Sequence, residues 1–517
     1  MAEREYIVSL KKGVDAASFA AEMTQTDGDS TIPNRSVDIA NERLLSQRNT
    51  HYALSDEEAA TLRNDPRVAG VEIPPDQDDS LEIGFEATQV GDFTKTTSDS
   101  GGYVNWGLRR CIESVNPYGA NTVAPTGDYT YNLDGTGVDV VIQDSGLEVT
   151  HPEFNDASGA SRVQLIDWYT ESGLVGTQSV NHYRDFNGHG THCAGISAGK
   201  TYGWAKNAHI YSVKVNGLEG TGDSGTGISI TDCFDVIKGW HMNKPVDPVT
   251  GYKRPTIVNM SWGYGSYFYN VTGGEYRGVP WTGGWTGAGR DTAKGMVGSY
   301  RSLTYGYRYV SRVASVDTDV QEMIDAGIHI TIAAGNSYQK IDVPGGVDYD
   351  NYYDSSTFGS TRYYHRGGSP FDDQAFVVGN IDSTINTGGL EQKASSSENG
   401  PGVDIWAPGT DIMSTCSTDT DFVAGAYPDN TAYKICNISG TSMAAPQVCG
   451  VGALVLQANP HMTPAQLKAY LINQSAASQV YSTGLDNDYA DSRSLHGGNN
   501  RFLKHPFPSP YKYRIFN

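Results

Sequence analysis

Three side chains of the types that act together in acyl transfer are set among small residues along this chain. Ser442 lies in Gly-Thr-Ser-Met-Ala-Ala-Pro, His189 lies in Asn-Gly-His-Gly-Thr-His, and Asp144 closely follows an apolar run. A serine hydroxyl becomes a strong nucleophile when an imidazole accepts its proton, and a carboxylate can orient that imidazole. Taken singly, Ser442 caps a helix, His189 is structural and Asp144 forms a turn. Their combination favours nucleophilic catalysis over these separate interpretations.

The segment that carries Ser442 is predicted to be a buried helix. Residues 440–458 contain many small side chains and no charged one, with apolar residues on every face of the helix. A helix that is apolar all round is buried, and Pro446 is tolerated in its first turn because that N–H has no helical partner there. Ser442 therefore lies at a helix N-terminus, which favours a developing anion. Glycines on both sides of His189 allow other backbone to approach it closely.

The elements that must position these residues are predicted to form a parallel α/β sheet. Apolar runs without polar alternation are typical of strands covered on both faces. Such runs are Val138–Ile142, Ile210–Val215, Thr256–Met260, Ile328–Ala333 and Phe376–Val378. Helical segments with one apolar face lie between them, as at positions 316, 320, 323 and 324. The sequence predicts a doubly wound, mostly parallel sheet, with Asp144 at the carboxyl edge where sites form.

In motif and order the chain resembles the subtilases, the subtilisin-like serine proteases. The triad residues of subtilisin follow one another as Asp, His and Ser, as Asp144, His189 and Ser442 do here. The resemblance spans roughly residues 105–475 and is strongest to the proteinase K branch. Features shared beyond the triad motifs are Trp106, His151, Cys193 and the segment Thr201–Lys206. The resemblance implies a subtilisin-like fold and a serine endopeptidase that forms an acyl-enzyme on Ser442.

The same resemblance assigns residues around the reacting bond. Asn336, which ends Ala-Ala-Gly-Asn, matches the side chain that donates to the oxyanion, with the Ser442 N–H as second donor. Two segments match those that pair with an extended substrate. They are Gly220, Thr221 and Gly222, and Ser261, Trp262 and Gly263. Trp262 replaces a small or aliphatic residue, so it should reshape the pocket for the fourth residue before the cut. Gln447 replaces the usual histidine and keeps hydrogen-bonding capacity.

For cofactors, the resemblance implies none for the chemistry and a structural Ca²⁺. Asp404, in Val-Asp-Ile-Trp-Ala-Pro-Gly, matches a calcium-binding carboxylate. The remaining ligands implied are the backbone carbonyls of Asp373 and Ala375. Carboxylate and carbonyl oxygens are the ligands that Ca²⁺ prefers.

The chain is predicted to divide into modules. Residues 1–78 form a small α+β, ferredoxin-like module that resembles the inhibitor-type propeptide of subtilases, and Ser55 with Glu58 predicts a capping box within it. Residues 79–104, rich in Asp, Ser, Thr and Gly, are predicted to be a linker that contains a processing site. The remaining boundaries are a catalytic domain at 105–478, insertions in it at 264–312 and 338–368, and a tail at 479–517. The expected partners are the chain's own propeptide and protein or peptide substrates.

Composition narrows the function classes. The chain has 517 residues and a formal charge of −22, and an acidic surface repels phosphate backbones, which argues against a nucleic-acid partner. It contains no apolar run of the length of a membrane helix, and its first ten residues lack the apolar region of a Sec signal. Intracellular synthesis is the expectation, and export by a route other than Sec or packaging in a virus particle stays open. Six cysteines are too few for a disulfide scaffold in a chain this long, although Cys416 and Cys436 could pair under oxidation.

Two further hypotheses remain open at this point. The long insertions and the aromatic C-terminal segment also suit a structural or binding protein built on a catalytically inactive subtilase scaffold. A peptide ligase would use the same residues and differ only in the acceptor that resolves the acyl-enzyme. Retention of every catalytic group favours the protease.

Overall fold

The structure of the protein is a computed structural model. It describes residues 3–25, 35–41, 43, 45–78, 82–85, 105–112, 116, 131, 133–215, 228–248, 251–268, 270–284, 291–297, 299–302, 306–356, 361–485 and 489–506. Among these residues no helix combines the length and the apolar character needed to cross a membrane. Strands and helices are numbered along the chain.

The N-terminal module is an antiparallel sheet covered by helices. Its elements are β1 (Arg4–Leu10), α1 (Ala16–Met23), β2 (Ile39–Asn41), β3 (Asn49–Leu54), α2 (Asp56–Leu62) and β4 (Val68–Glu72). The sheet order is β2-β3-β1-β4, and β1 runs antiparallel to both of its neighbours. The predicted capping box is confirmed, because Ser55 Oγ accepts from the Glu58 N–H and Glu58 Oε2 accepts from the Ser55 N–H. Alternate residues of β1 pack with Phe19 and Leu62 in one core.

A mostly parallel sheet forms the centre of the larger region. Its strands are β6 (Asp139–Asp144), β7 (His209–Lys214), β8 (Thr256–Met260), β14 (His329–Ala333), β17 (Phe376–Ile385), β18 (Glu391–Lys393), β19 (Ile405–Pro408), β23 (Ala476–Ala477) and β24 (Arg501–Phe502). The order is β23-β24-β19-β17-β14-β8-β6-β7, with β18 beside β17. The strands from β7 to β24 pair in parallel, whereas β18 and β23 are antiparallel to their neighbours. All five apolar runs predicted as strands lie in this sheet.

Helices cover both faces of this sheet, as a doubly wound pattern requires. They are α3 (Trp106–Arg110), α4 (Trp168–Ser172), α5 (His189–Ala198), α6 (Ile230–Asn243), α7 (Ala314–Asp325), α8 (Thr441–Ala458) and α9 (Pro464–Gln474). Val140 and Ile142 of β6 belong to the core shared with α5 and α8, while Val141 faces the core shared with α6 and α7. Every residue of α8 from Thr441 to Leu456 is buried, so the predicted central helix is confirmed, but Pro446 lies inside the helix and not in its first turn as predicted.

The segments predicted as insertions contribute most of the strands of two further sheets. Their strands are β9 (Trp262–Tyr267), β10 (Val271–Tyr276), β11 (Val279–Thr282), β12 (Ser299–Ser302), β13 (Gly306–Val310), β15 (Tyr352–Ser355) and β16 (Thr361–Tyr363). One sheet has the order β11-β10-β15-β16, and the other has β12-β13-β9-β5, where β5 is Glu82–Phe85. Aromatic rings fill the core of these insertions: Phe268 stacks on Tyr309 at 4.8 Å, and the Tyr309 and Tyr353 hydroxyls are 2.6 Å apart.

The C-terminal part of the chain is integral to the fold up to Leu503. Strand β24 lies in the main sheet, and Phe502 and Leu503 have no exposed surface. The predicted boundary at residue 478 therefore does not coincide with an edge of the fold, because a two-residue strand leaves little periodic signal. A separate small sheet consists of β20 (Ile412–Cys416), β21 (Gly425–Ala426) and β22 (Lys434–Ile438). It brings the Sγ atoms of Cys416 and Cys436 to 2.9 Å as free thiols.

Candidate active site

Three elements end or begin at the carboxyl edge of the main sheet. Asp144 is the last residue of β6, His189 is the first of α5, and Ser442 is the second of α8. A Cβ at Gly190 would lie 2.2 Å from the Gly146 carbonyl oxygen, so this position next to His189 has no room for a side chain. Close approach of other backbone to His189, as predicted from its flanking glycines, is thereby confirmed.

The carboxylate and the imidazole are directly bonded. His189 Nδ1 donates to Asp144 Oδ1 over 2.7 Å, and the Ser145 N–H donates to the same oxygen over 2.8 Å. Since a carboxylate can only accept, the contact assigns the His189 proton to Nδ1. Asp144, His189 and Ser442 have no solvent-exposed surface in the full-length chain. The pair is thus an oriented acid–base unit in a water-poor environment.

Ser442 is held by exchange of hydrogen bonds with Ser261. Ser442 Oγ donates to the Ser261 carbonyl over 2.9 Å, and Ser261 Oγ donates to the Ser442 carbonyl over 2.9 Å. Ser261 directly precedes β9, so this exchange connects the start of α8 to the strand predicted to bind substrate. The structure therefore brings the predicted nucleophile next to one of the predicted substrate-binding segments.

Asn336 is oriented by the residue before the candidate nucleophile. Its Oδ1 accepts from the Thr441 N–H over 3.1 Å and from Thr441 Oγ1 over 3.2 Å. These two bonds fix the oxygen end of the Asn336 amide on Thr441, so its NH₂ end is directed away from Thr441. Thr441 Oγ1 also accepts from the Gly335 N–H over 3.1 Å, which ties the loop after β14 to α8.

Sequence reasoning missed a buried glutamate beneath this loop. Glu398 has no exposed surface, accepts from the Ser337 N–H over 3.0 Å and also accepts from the Gln339 N–H. These bonds hold the backbone that follows Asn336. The available signal was a single charged residue in the run Ala-Ser-Ser-Ser-Glu-Asn-Gly, which gives no indication of its partners.

Cys193 lies beside His189, as the helical spacing of four residues suggests. Its Sγ is 3.9 Å from His189 Nδ1 and donates to the Ser442 carbonyl over 3.4 Å. Burial raises the pKa of the Cys193 thiol well above its usual range, so the thiol is protonated and is not a nucleophile. The ligand atoms of Asp144, His189 and Cys193 lie within 4.8 Å of one another, but each already takes part in these hydrogen bonds. The cluster therefore fits proton transfer better than metal binding.

The predicted substrate-binding segments have different outcomes. Gly220, Thr221 and Gly222 lie outside the described residues. Trp262 is fully buried, with its ring centroid 6.3 Å from that of Phe234 and 5.8 Å from that of Tyr264. Strand β9 pairs antiparallel with β5, with Gly84 opposite Gly263 and Phe85 opposite Trp262. Gln447 keeps the predicted bonding capacity, since it accepts from Trp204 Nε1 over 2.7 Å and donates to Asn105 Oδ1 over 2.8 Å.

An apolar cavity lies between Gly263 of β9 and Gly335 in the loop after β14. Its volume is about 20 Å³, and its walls include Val310, Ile341 and Phe371. A Cβ at Gly335 would lie 2.9 Å from Val310 Cγ1, which places this insertion residue against the loop that carries Asn336. The insertion thus contributes one wall of this cavity.

The three predicted calcium ligands converge on a lysine ammonium. Lys468 Nζ donates to the Asp373 carbonyl over 2.9 Å and to the Ala375 carbonyl over 2.7 Å, and it lies 2.8 Å from Asp404 Oδ2. A calcium ion bonded to the same oxygens at about 2.3–2.6 Å would clash with Nζ. The residues present therefore do not fit a divalent ion while Lys468 holds this position.

Comparison with known proteins places these observations in a family. The sequence profile described as Subtilase family matches residues 135–497. The chain is 28% identical over 438 residues to an extracellular serine proteinase of Thermus sp. (strain Rt41A), covering 84% of this chain and 73% of that protein. It is 27% identical over 460 residues to proteinase R of Parengyodontium album, covering 87% and 79% respectively.

The solved structure of fervidolysin from Fervidobacterium pennivorans, described as a keratinolytic enzyme related to subtilisin, is similar in fold. The TM-score is 0.52 with 18% sequence identity, over 98% of this chain and 60% of that one. This likeness concerns the fold alone, and it agrees with the mostly parallel sheet found here. With the profile match over most of its length, the chain belongs to the subtilase family and is a subtilisin-like serine protease.

Proposed function

We propose that the chain is a self-processing zymogen of a serine endopeptidase, with Asp144, His189 and Ser442 as its catalytic triad. The observation that carries the proposal is the buried bond between His189 Nδ1 and Asp144 Oδ1, at the sheet edge where α8 presents Ser442. A carboxylate in that position keeps Nε2 of the imidazole as the proton acceptor and stabilises the imidazolium that forms.

In the proposed reaction Ser442 Oγ bonds to the substrate carbonyl carbon while its proton passes to His189. The serine side chain first turns away from the Ser261 carbonyl, to which it donates here. His189 then protonates the leaving amine, the peptide C–N bond breaks, and water releases the acyl group by the same steps. The proposed oxyanion donors are the Asn336 amide and the Ser442 N–H, aided by the positive end of α8.

The contacts of the N-terminal module support its role as a propeptide. Arg43 is almost completely buried and donates to Asp235 of α6 over 2.9 Å and to Asp319 of α7 over 3.0 Å. Glu72, at the end of β4, accepts from the Ala314 N–H over 2.8 Å, in the first turn of α7. This carboxylate supplies an N-terminal cap that α7 lacks among its own side chains. The proposal places the module at residues 1–78.

The connectivity of this module supports the ferredoxin-like part of the proposal. One helix joins β1 to β2 and the other joins β3 to β4, and the sheet order is β2-β3-β1-β4. Both features are those expected of a split βαβ arrangement.

Strand β5 supports a blocked cleft in the precursor. It occupies the edge of β9 at which an extended substrate is proposed to pair, with Phe85 opposite Trp262. Strand β9 begins directly after Ser261, whose carbonyl accepts from Ser442. The proposed processing site follows Phe85, within the linker at residues 79–104.

A fluorophosphonate probe with gel analysis tests the proposal. The wild-type chain should react with the probe on Ser442 and separate into a fragment of roughly 80–100 residues and a larger remainder. Ser442→Ala should bind no probe and stay at full length, because the acyl-enzyme cannot form. Ser439→Ala, three residues earlier, is the matched control and should behave as wild type.

Each other outcome supports a rival. Failure of the correctly folded wild-type chain to react with the probe would contradict the triad and favour an inactive subtilase scaffold. If purified Ser442→Ala is cleaved in the absence of any other protease, self-cleavage by Ser442 is contradicted. Cleavage of peptide substrates accompanied by transfer to an added amine, rather than to water, would identify a peptide ligase.

A further inference from the structure

The oxygen cage around Lys468 is formed by two segments that enter the main sheet. Asp373 and Ala375, which contribute their carbonyls, lie just before β17, and Asp404 directly precedes β19. Asp404 Oδ2, besides its contact with Lys468, accepts from the Val377 N–H over 2.8 Å. The cage therefore fastens the entry of one parallel strand to the entry of its neighbour.

The lysine reaches this cage from a helix whose position is fixed by packing. Helix α9 begins with a capping box in which Thr463 Oγ1 accepts from the Gln466 N–H over 3.3 Å, and Gln466 Oε1 accepts from the Thr463 N–H over 2.9 Å. The next residue, Leu467, and Leu471 one turn later are buried in the main core. Lys468 follows Leu467 directly, so its side chain starts at the rim of that core and extends to the cage.

The donor count of the cage matches an ammonium. A lysine ammonium has three N–H donors, and Nζ of Lys468 has three oxygen partners at 2.7–2.9 Å. A bound calcium ion needs about six to eight oxygens, and its affinity rises with the number of carboxylates. Asp404 is the only carboxylate among the three oxygens, so a single positive charge balances the cage. A cation carried by the chain also does not dissociate on dilution.

We propose that Lys468 is the resident cation of this cage and takes the place of a bound calcium ion. The tie between α9 and the entries of β17 and β19 is then independent of the calcium concentration. Removal of the ammonium leaves a carboxylate and two carbonyls around an open space. This space accepts a calcium ion, with water as its further ligands.

Calcium binding and thermal unfolding of Lys468→Ala test this inference, in the Ser442→Ala background to prevent self-cleavage. Without calcium, the variant should unfold about 3–6 °C below its parent, because a partly buried carboxylate loses its partner. Millimolar Ca²⁺, but not Mg²⁺, should restore most of the loss. Calorimetric titration should detect one calcium ion more than in the parent, with a dissociation constant of about 10⁻⁴–10⁻³ M.

Lys244→Ala is the matched control. Lys244 Nζ also has oxygen partners in a buried setting, at 3.0 Å from Asp139 Oδ2 and 2.6 Å from the Arg254 carbonyl. Arg254 Nε still neutralises Asp139 at 2.8 Å after this substitution. The control should therefore lose stability without gaining a calcium ion.

Two results would overturn the inference. One is an equal number of calcium ions in Lys468→Ala and its parent. The other is the loss of one bound calcium ion in Asp404→Asn with Lys468 present, which would place calcium at Asp404 alongside Lys468. We expect Asp404→Asn to leave the number of bound calcium ions unchanged. This measurement needs no lysine variant, so it applies even if Lys468→Ala does not fold.

Discussion

At the scale of single residues, hydrogen bonds from neighbouring residues position each side chain of the candidate site. Thr441 fixes the oxygen end of the Asn336 amide through two bonds, and Asp144 fixes one nitrogen of His189. Ser442 is positioned by Ser261. Asn336 and His189 can keep these bonds during the reaction and so need little reorganisation, which is the basis of electrostatic stabilisation of a transition state; the Ser442 hydroxyl must turn away from Ser261 to react.

Asn336→Leu should therefore lower kcat by about 10²–10³-fold with KM nearly unchanged, the range observed when the corresponding donor of subtilisin is removed. The leucine keeps the size of the side chain but cannot donate to the oxyanion. Steady-state kinetics on a peptide substrate measure the effect. Thr441→Val, which removes the contact of Thr441 Oγ1 but keeps that of its N–H, should cause a smaller loss of kcat. An increase of KM alone would show that Asn336 binds substrate without stabilising the oxyanion.

Among the secondary-structure elements, α6 and α7 form the surface on which the N-terminal module docks. Arg43→Met in the inactive full-length chain should strongly destabilise the protein, by about 3–5 kcal/mol in the free energy of unfolding, because Asp235 and Asp319 lose a buried partner. Arg4→Met is the control, since the Arg4–Asp56 pair is mostly exposed and exposed pairs contribute about 0–1 kcal/mol. Denaturant unfolding followed by tryptophan fluorescence measures both. Equal losses in the two variants would contradict a docking role for Arg43.

Val310 of strand β13 lines the apolar cavity. Val310→Ala should enlarge it and raise kcat/KM for substrates with a larger apolar residue before the cut, by about 10-fold relative to alanine substrates. A peptide library measures the preference. Val279→Ala, on the exposed strand β11 of the other insertion sheet, is the control and should leave it unchanged. If Val310→Ala also leaves it unchanged, the cavity does not receive that substrate residue.

The molecule as a whole buries several histidines, and this predicts its response to acid. Burial lowers the pKa of His192 and His329 to about 3, and that of His241, His365 and His505 to about 4. An unfolded histidine has a pKa of about 6.5, so below that pH the unfolded chain binds more protons than the native one. The free energy of unfolding should therefore be unaffected by these histidines above pH 6.5 and should decrease as the pH drops from 6.5 towards 4.

The melting temperature of the inactive full-length chain, measured across this pH range, checks the prediction. His241 bonds through Nδ1 to Thr256 Oγ1 over 2.9 Å, a contact that glutamine can replace. The melting temperature of His241→Gln should therefore decrease less on acidification than that of its parent. A melting temperature that is constant between pH 6.5 and 4.5 would contradict this account.

The sequence by itself determined the features that depend on local patterns. Apolar runs predicted the strands of the main sheet because strands buried on both faces need no polar alternation. Ser55 and Glu58 predicted a helix start because a capping box closes within one turn. Asp144, His189 and Ser442 were predicted as a triad because their local motifs and their order along the chain resemble those of the subtilases.

Contacts between distant segments were decided only by the tertiary structure. Lys468 is 93 residues from Ala375 along the chain, and nothing in the pattern of α9 indicates which oxygens its ammonium meets. Three other features also depend on contacts between segments that are distant in sequence. They are the pairing of β5 with β9, the position of Glu398 beneath Asn336, and the place of β24 in the main sheet. Short strands and single buried charges carry no periodicity. Their partners are selected by the packing of the whole chain, because a buried polar group must find whichever opposite group the fold brings within reach.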